Sequence, residues 1–147
     1  METMTSMKIK KSVYNHILND TFSPPPESGG ILGKSSEVIS EYYPDRGCGE
    51  HSISHYVPDI AKLNHVIEIW QKKEICFCGI YHSHYEGDTR LSKGDKSYIE
   101  RILRKIHMHT DTLYFPLVFP RNEIICYSVA LTSQGLIICK EEIILID

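Results

Sequence analysis

The feature that most constrains this chain is the run Ile75-Cys76-Phe77-Cys78-Gly79-Ile80-Tyr81, with His82-Ser83-His84 on its end. It carries no charge and has the length of a strand. Its apolar character is continuous rather than alternating, which predicts a central strand covered on both faces. In an extended strand, residues two apart point to the same face, so His82 and His84 would project together. Seven residues separate His84 from Ser92, and Asp95 follows three positions later, where a helix is predicted to open. Two imidazoles from a strand end and one carboxylate from the next helix form a nitrogen and oxygen set suited to Zn²⁺. Such a set leaves the fourth tetrahedral position free for water.

Taken singly, these residues have plainer readings. Histidines near a strand end can simply mark a polar surface. Ser92 and Asp95, as S-x-x-D ahead of an apolar run, are also close to a helix capping box, which needs no metal. Glu27 follows Pro24-Pro25-Pro26 and could be a solvated residue. Glu86 and Asp88 are rival carboxylates within the same loop.

Taken together, H-x-H, seven residues, S-x-x-D and the upstream Glu27-Ser28-Gly29-Gly30-Ile31-Leu32-Gly33 resemble the JAMM (MPN-plus, JAB-domain) zinc metalloproteases. The resemblance follows the order and rough spacing of the parts over nearly the whole chain. It implies one zinc ion held by His82, His84 and Asp95, with Glu27 as general base and Ser92 as donor to the tetrahedral oxyanion. It also implies an α/β domain of JAB/MPN fold, a mixed β-sheet flanked by helices with cytidine-deaminase-like layering. The function implied is an isopeptidase or peptidase that cuts after the C-terminal glycine of a ubiquitin-like protein. Single-domain versions of this kind are similar to bacterial JAB peptidases, some encoded beside ubiquitin-like activating and conjugating enzymes in antiphage operons. Tyr85 stands where many relatives have proline, and the long insertions of larger members are absent. Substrate grip is therefore expected from the core domain or from a partner.

The chain has 147 residues, 41% of them hydrophobic, enough for one domain with its own core. A net charge of −3 gives no general reason to expect nucleic acid or an anionic membrane as partner. The N-terminus lacks the basic and apolar regions of a signal peptide, and no apolar run reaches membrane-span length, so a cytoplasmic protein is expected. The five cysteines include no C-x-x-C pair. Cys76, Cys78, Cys126 and Cys139 fall in apolar stretches and read as core residues.

Residues 1–7 are expected to form a tail and residues 8–147 the domain. Ile9, Val13, Ile17 and Leu18 share a helix face, and the proline run ends that helix. Short strands are expected around 29–33 and 37–43, with turn chemistry at Pro44-Asp45-Arg46-Gly47. A helix over 59–70 places Ile60, Leu63, Ile67 and Trp70 together, and another runs from about 92 to 107. Three strands follow, 113–119, 124–131 and 136–146, the last with an expected break at Glu141-Glu142. Cys48, His51 and His55 form C-x₂-H-x₃-H without a fourth ligand nearby, and read as loop residues. Arg101, Arg104, Lys105, His107 and His109 read as a solvated face suited to a helix C-terminus.

Other functions stay open on the sequence. One is processing of a sulfur-carrier protein, with the same metal and reaction. A second is a RadC-like, DNA-repair-associated role, although those relatives typically carry Pro-Ser-Gly where this chain has Tyr85-Glu86-Gly87. A third is a non-catalytic MPN scaffold.

Overall fold

The computed structural model describes residues 6–20, 29–45, 59–83, 93–105, 112–119 and 121–147. In chain order the elements are β1 (Ser6–Lys10), α1 (Lys11–Asp20), β2 (Gly29–Ser35), β3 (Val38–Asp45), α2 (Ile60–Lys72), β4 (Cys76–Ser83), α3 (Lys93–Lys105), β5 (Thr112–Phe119), β6 (Glu123–Thr132) and β7 (Gly135–Ile146).

The expected α/β layering, a mixed β-sheet flanked by helices, is not what forms. The seven strands close into a barrel in the order β1-β3-β2-β4-β5-β6-β7, with β1 returning to β7. Closure comes from a strand that the sequence reading placed partly in a tail and partly in a helix. Ser6–Lys10 pairs in parallel with β7, from Ser6 opposite Glu142 to Lys10 opposite Ile146, and touches β3 where Ile9 meets Ile39. Its residues alternate, with Met7 and Ile9 buried while Lys8 and Lys10 face solvent. Two such apolar residues in five are enough to seal a barrel when the strands on either side supply the rest of the interior. Tyr114 of β5 donates from its hydroxyl to the Ser6 carbonyl and ties β1 across the interior.

The strand Cys76–Ser83 is central, as expected. It pairs antiparallel with β2 and parallel with β5. One face of these strands carries Ile31, Ile80, Phe115, Leu117 and Val129 under Leu63, Ile67 and Trp70 of α2 and Ile99 and Ile102 of α3. The opposite face carries Leu32, Cys78, Tyr81, Val118 and Cys126 with Met7 and Ile9 of β1 and Val13 and Ile17 of α1. Burial on both faces from Cys78 onward explains the apolar sequence of β4 there, while Cys76 at its start is exposed.

Glycine is required where the seam between β2 and β4 is tightest. A Cβ on Gly30 would meet the Tyr43 carbonyl oxygen and the Tyr81 ring, and one on Gly33 would stand 2.6 Å from Ile75 and 2.9 Å from Trp70. Gly30 and Gly33 of this sequence are thus a packing requirement of the barrel. The last strand, β7, runs unbroken through Glu141-Glu142. Glu141 is buried but accepts the Ser128 hydroxyl at 2.7 Å, and Glu142 faces solvent, so neither interrupts the ladder.

Candidate metal centre

The candidate site lies where β4 leaves the barrel. His82 is 3% exposed, and its ring meets Phe115 edge-on with centroids 5.0 Å apart. Its Nδ1 is sealed from solvent. By alternation along β4, His82 shares a face with Ile80, the face that α2 and α3 cover. Phe115 and burial together hold the imidazole in one orientation, which a metal ligand needs.

The register of the sheet sets the neighbours of His82. Gly29 of β2 pairs with His82 on one side and with Asp45 of β3 on the other. Asp45, Gly29 and His82 therefore form a row across three strands, with their positions on one face. Glu27 precedes Gly29 by two residues, and His84 follows His82 by two. A two-residue tether spans at most ~7 Å. Glu27 and His84 are thus anchored to two residues that pair directly with each other. Glu27, His84 and Ser92 themselves lie outside the described residues.

Asp95 is the third residue of α3, and Ser92 immediately precedes the helix. Position 95 stands four before Ile99 and seven before Ile102, the spacing of one helix face. Those two isoleucines pack into the cluster that contains Ile80 and Phe115. The opening turn of α3 is therefore borne by a helix laid over the face from which His82 projects. Among the described residues no three His, Cys, Asp or Glu side chains form a cluster able to hold a metal. Of the four residues besides His82, the side chains lie beyond that description. The donor chemistry, two imidazoles and a carboxylate, fits zinc.

The N-terminus of α2 borders the same row. Asp59 caps it by accepting the Lys62 backbone N–H at 3.2 Å, and the Asp59 backbone N–H donates to Asp45 Oδ2 at 3.1 Å. Lys62 lies over the Tyr43 ring, 5.7 Å from its centroid. Its ammonium is held above its usual range, first by the Tyr43 side chain as hydrogen-bond partner and then by Asp45 and Asp59. Asp45 is the residue that sequence reasoning missed. It stood in a stretch of turn-forming residues, and nothing in that composition marks a carboxylate that ends up 4% exposed.

The other candidates separate clearly. Cys78 and Cys126 are buried, as expected, while Cys76 and Cys139 stand exposed on the outer surfaces of their strands. Burial pushes the Cys78 thiol up to about 12, and burial likewise raises that of Cys126. Both are inert as nucleophiles. Arg101 and Arg104 are exposed on α3, and Arg104 pairs with Glu100 at 3.0 Å. Cys48, His51, His55, His107 and His109 lie outside the described residues. No described helix is long and apolar enough to cross a membrane.

Comparison with known proteins gives a likeness of fold. No family model and no curated protein matches the sequence. Among solved structures, a protein from Desulfitobacterium hafniense aligns with a TM-score of 0.67 at 20% identity, covering 96% of this chain and 93% of that one. A protein from Salinibacter ruber aligns with a TM-score of 0.59 at 16% identity, covering 96% and 92%. A JAB1/MPN domain protein from Archaeoglobus fulgidus aligns with a TM-score of 0.50 at 18% identity, covering 95% and 98%.

Proposed function

We propose that this chain is a zinc-dependent peptidase of JAMM type, acting on the bond that follows the C-terminal glycine of a ubiquitin-like protein. One observation carries the reading. The β2–β4 register pairs Gly29, two residues after Glu27, with His82, two residues before His84, so the start of β2 lies beside the end of β4. These motifs are 55 positions apart at Glu27 and His82, and without that pairing the resemblance would be one of sequence order alone. The fold shared with the JAB1/MPN domain protein of Archaeoglobus fulgidus adds support.

His82, His84 and Asp95 would hold the ion, with His82 oriented by Phe115. A zinc ion there would supply Lewis-acid polarisation of the scissile carbonyl and acidify water towards neutrality. Glu27 would accept the proton of the attacking water and return it to the leaving amine. Ser92 would donate a hydrogen bond to the tetrahedral oxyanion, a contribution worth about 3 kcal/mol at comparable sites. Substrates are a ubiquitin-like conjugate or precursor, with activating and conjugating enzymes as candidate partners.

The test is a substrate trap with metal analysis. Wild type and Glu27→Gln should both purify with about one zinc per chain, because the base is not a ligand. Glu27→Gln should retain a small protein ending in glycine that wild type releases, with turnover reduced at least ~100-fold. Stoichiometric zinc with only DNA or a sulfur-carrier protein recovered would replace the ubiquitin-like substrate with that one. Wild type free of zinc, and unable to take it up, would end the metallopeptidase reading.

A further inference from the structure

The barrel closes along only part of β7. β1 accompanies it from Glu142 to Ile146, whereas Gly135 to Glu141 pair with β6 and, among the described residues, with no strand on the other side. That edge runs in unbroken register with β6 and holds no proline, so nothing bends or blocks it. From Leu136 to Cys139 its sequence, Leu-Ile-Ile-Cys, carries no charge. Ile137 is 49% exposed and Cys139 is exposed on the same face, while Leu136 and Ile138 on the other face are half-buried. A row of backbone N–H and C=O groups flanked by apolar side chains is a template for a further strand.

We infer that this edge pairs with the same edge of a second copy of the chain, joining two barrels through an antiparallel β7–β7 ladder about a two-fold axis. The open stretch Gly135–Glu141 is centred on Ile138, so full overlap places the axis there. Ile138 then lies opposite the partner's Ile138, Ile137 opposite the partner's Cys139, and Leu136 opposite the partner's Lys140. The two exposed side chains of one face thereby cover each other. Lys140 lays its aliphatic stem on the partner's Leu136 and keeps its ammonium in water. Glu141 falls opposite the partner's Gly135, which has no side chain, and its carboxylate already accepts the Ser128 hydroxyl at 2.7 Å. No like charges meet directly in this register. An axis at Lys140 would set two ammonium groups face to face, and one at Cys139 would set Glu141 against Ile137. The pairing also leaves the candidate metal site open. His82 is level with Leu117 of β5 and, through it, with Ile125 of β6. Ile138 pairs with Val129, four residues or about 13 Å further along β6. Seven residues a side fall short of the ~20–30 of a stable interface, so the dimer is expected to dissociate on dilution.

The experiment is analytical ultracentrifugation of the full chain in reducing buffer over a range of concentrations. Wild type should pass from monomer to dimer as concentration rises. Ile137→Lys/Cys139→Lys sets lysines opposite lysines in the ladder and should weaken association at least ~10-fold. Ile137→Lys/Cys139→Glu sets each lysine opposite a glutamate and should recover most of it. Only the axis at Ile138 puts those two positions opposite each other. A wild type that stays monomeric would overturn the inference, and so would a dimer indifferent to the double lysine variant. A charge-swapped variant no better associated than the double lysine variant would overturn it too. Both substituted side chains are exposed, and if the variants nevertheless do not fold, hydrogen exchange in wild type decides. Exchange at Leu136–Lys140 should slow as concentration rises while exchange in β2, paired on both sides, stays constant. Exchange at Leu136–Lys140 that does not vary with concentration would mean that no second copy covers the edge, and would overturn the inference.

Discussion

The two seams that make the barrel differ in kind. Between β2 and β4 the strands are antiparallel, with Gly30 opposite Tyr81, Gly33 opposite Phe77 and Gly79 opposite Leu32, and large side chains on both faces. Between β1 and β7 they are parallel, and β1 alternates between buried Met7 and Ile9 and solvent-facing Lys8 and Lys10. Leu145 of β7 remains 43% exposed at this second seam. The first seam is a packed interior wall with no room for adjustment, and it delivers His82 to the rim. The second is a wall with one side in water, whose work is closure. A side chain that must be held to within a fraction of an ångström belongs on the first kind of wall.

The largest effect should come from breaking the first seam. Gly30→Val places atoms against the Tyr43 carbonyl oxygen, which is backbone, and against the Tyr81 ring. Overpacking against backbone should cost at least about 3 kcal/mol in chemical denaturation. Shortening the side chain in Gly30→Ala/Tyr81→Ala relieves only the ring contact, so the double variant should remain less stable than Tyr81→Ala alone. A Gly30→Val protein as stable as wild type would show that the two walls do not differ in tightness.

The second seam should prove softer locally but joined to the same core. Ile9 is 1% exposed and packs in one cluster with Leu32 and Tyr81 of the first seam. Ile9→Ala should cost about 3 kcal/mol, and both seams should melt in one transition. Separate transitions, followed by hydrogen exchange at β1 and β4, would mean that closure is an addition to a sheet already stable by itself.

The same contrast explains what could be read in advance. The wall that carries His82 has a local signature, because burial on both faces writes a continuous apolar run and tight packing writes glycines. The closing strand has no such mark. Ile9, Val13 and Ile17 satisfy helical spacing across the β1–α1 junction, and only the partner strand, at the far end of the chain, shows that Ile9 belongs to a ladder. A mixed sheet flanked by helices is therefore expected from the sequence where a barrel forms. The break expected at Glu141 fails for a related reason, since its answering group, Ser128, sits on another strand. The spacing of His82, His84, Ser92 and Asp95 is legible as a pattern of residue types, whereas the pairing of Gly29 with His82 across β2 and β4 is not. Asp45 is the extreme case, a residue in a turn-like stretch whose burial follows from its place at the end of β3, opposite Gly29.

The smallest effect should come from the surface end of the closing seam. Lys11 follows β1 and Asp147 follows β7, and their side chains meet at 2.8 Å just beyond the final pair, Lys10 with Ile146. The position looks like a clasp on the barrel. Both side chains are well exposed, however, at 55% and 89%. Water and salt screen such a pair, and ordering two mobile side chains opposes it. Asp147→Asn should therefore change stability by less than about 0.5 kcal/mol, and by less still at high salt. Closure is held by Met7 and Ile9 inside rather than by charge outside. An Asp147→Asn loss comparable to that of Ile9→Ala, and abolished by salt, would reverse that assignment and make the closing seam electrostatic.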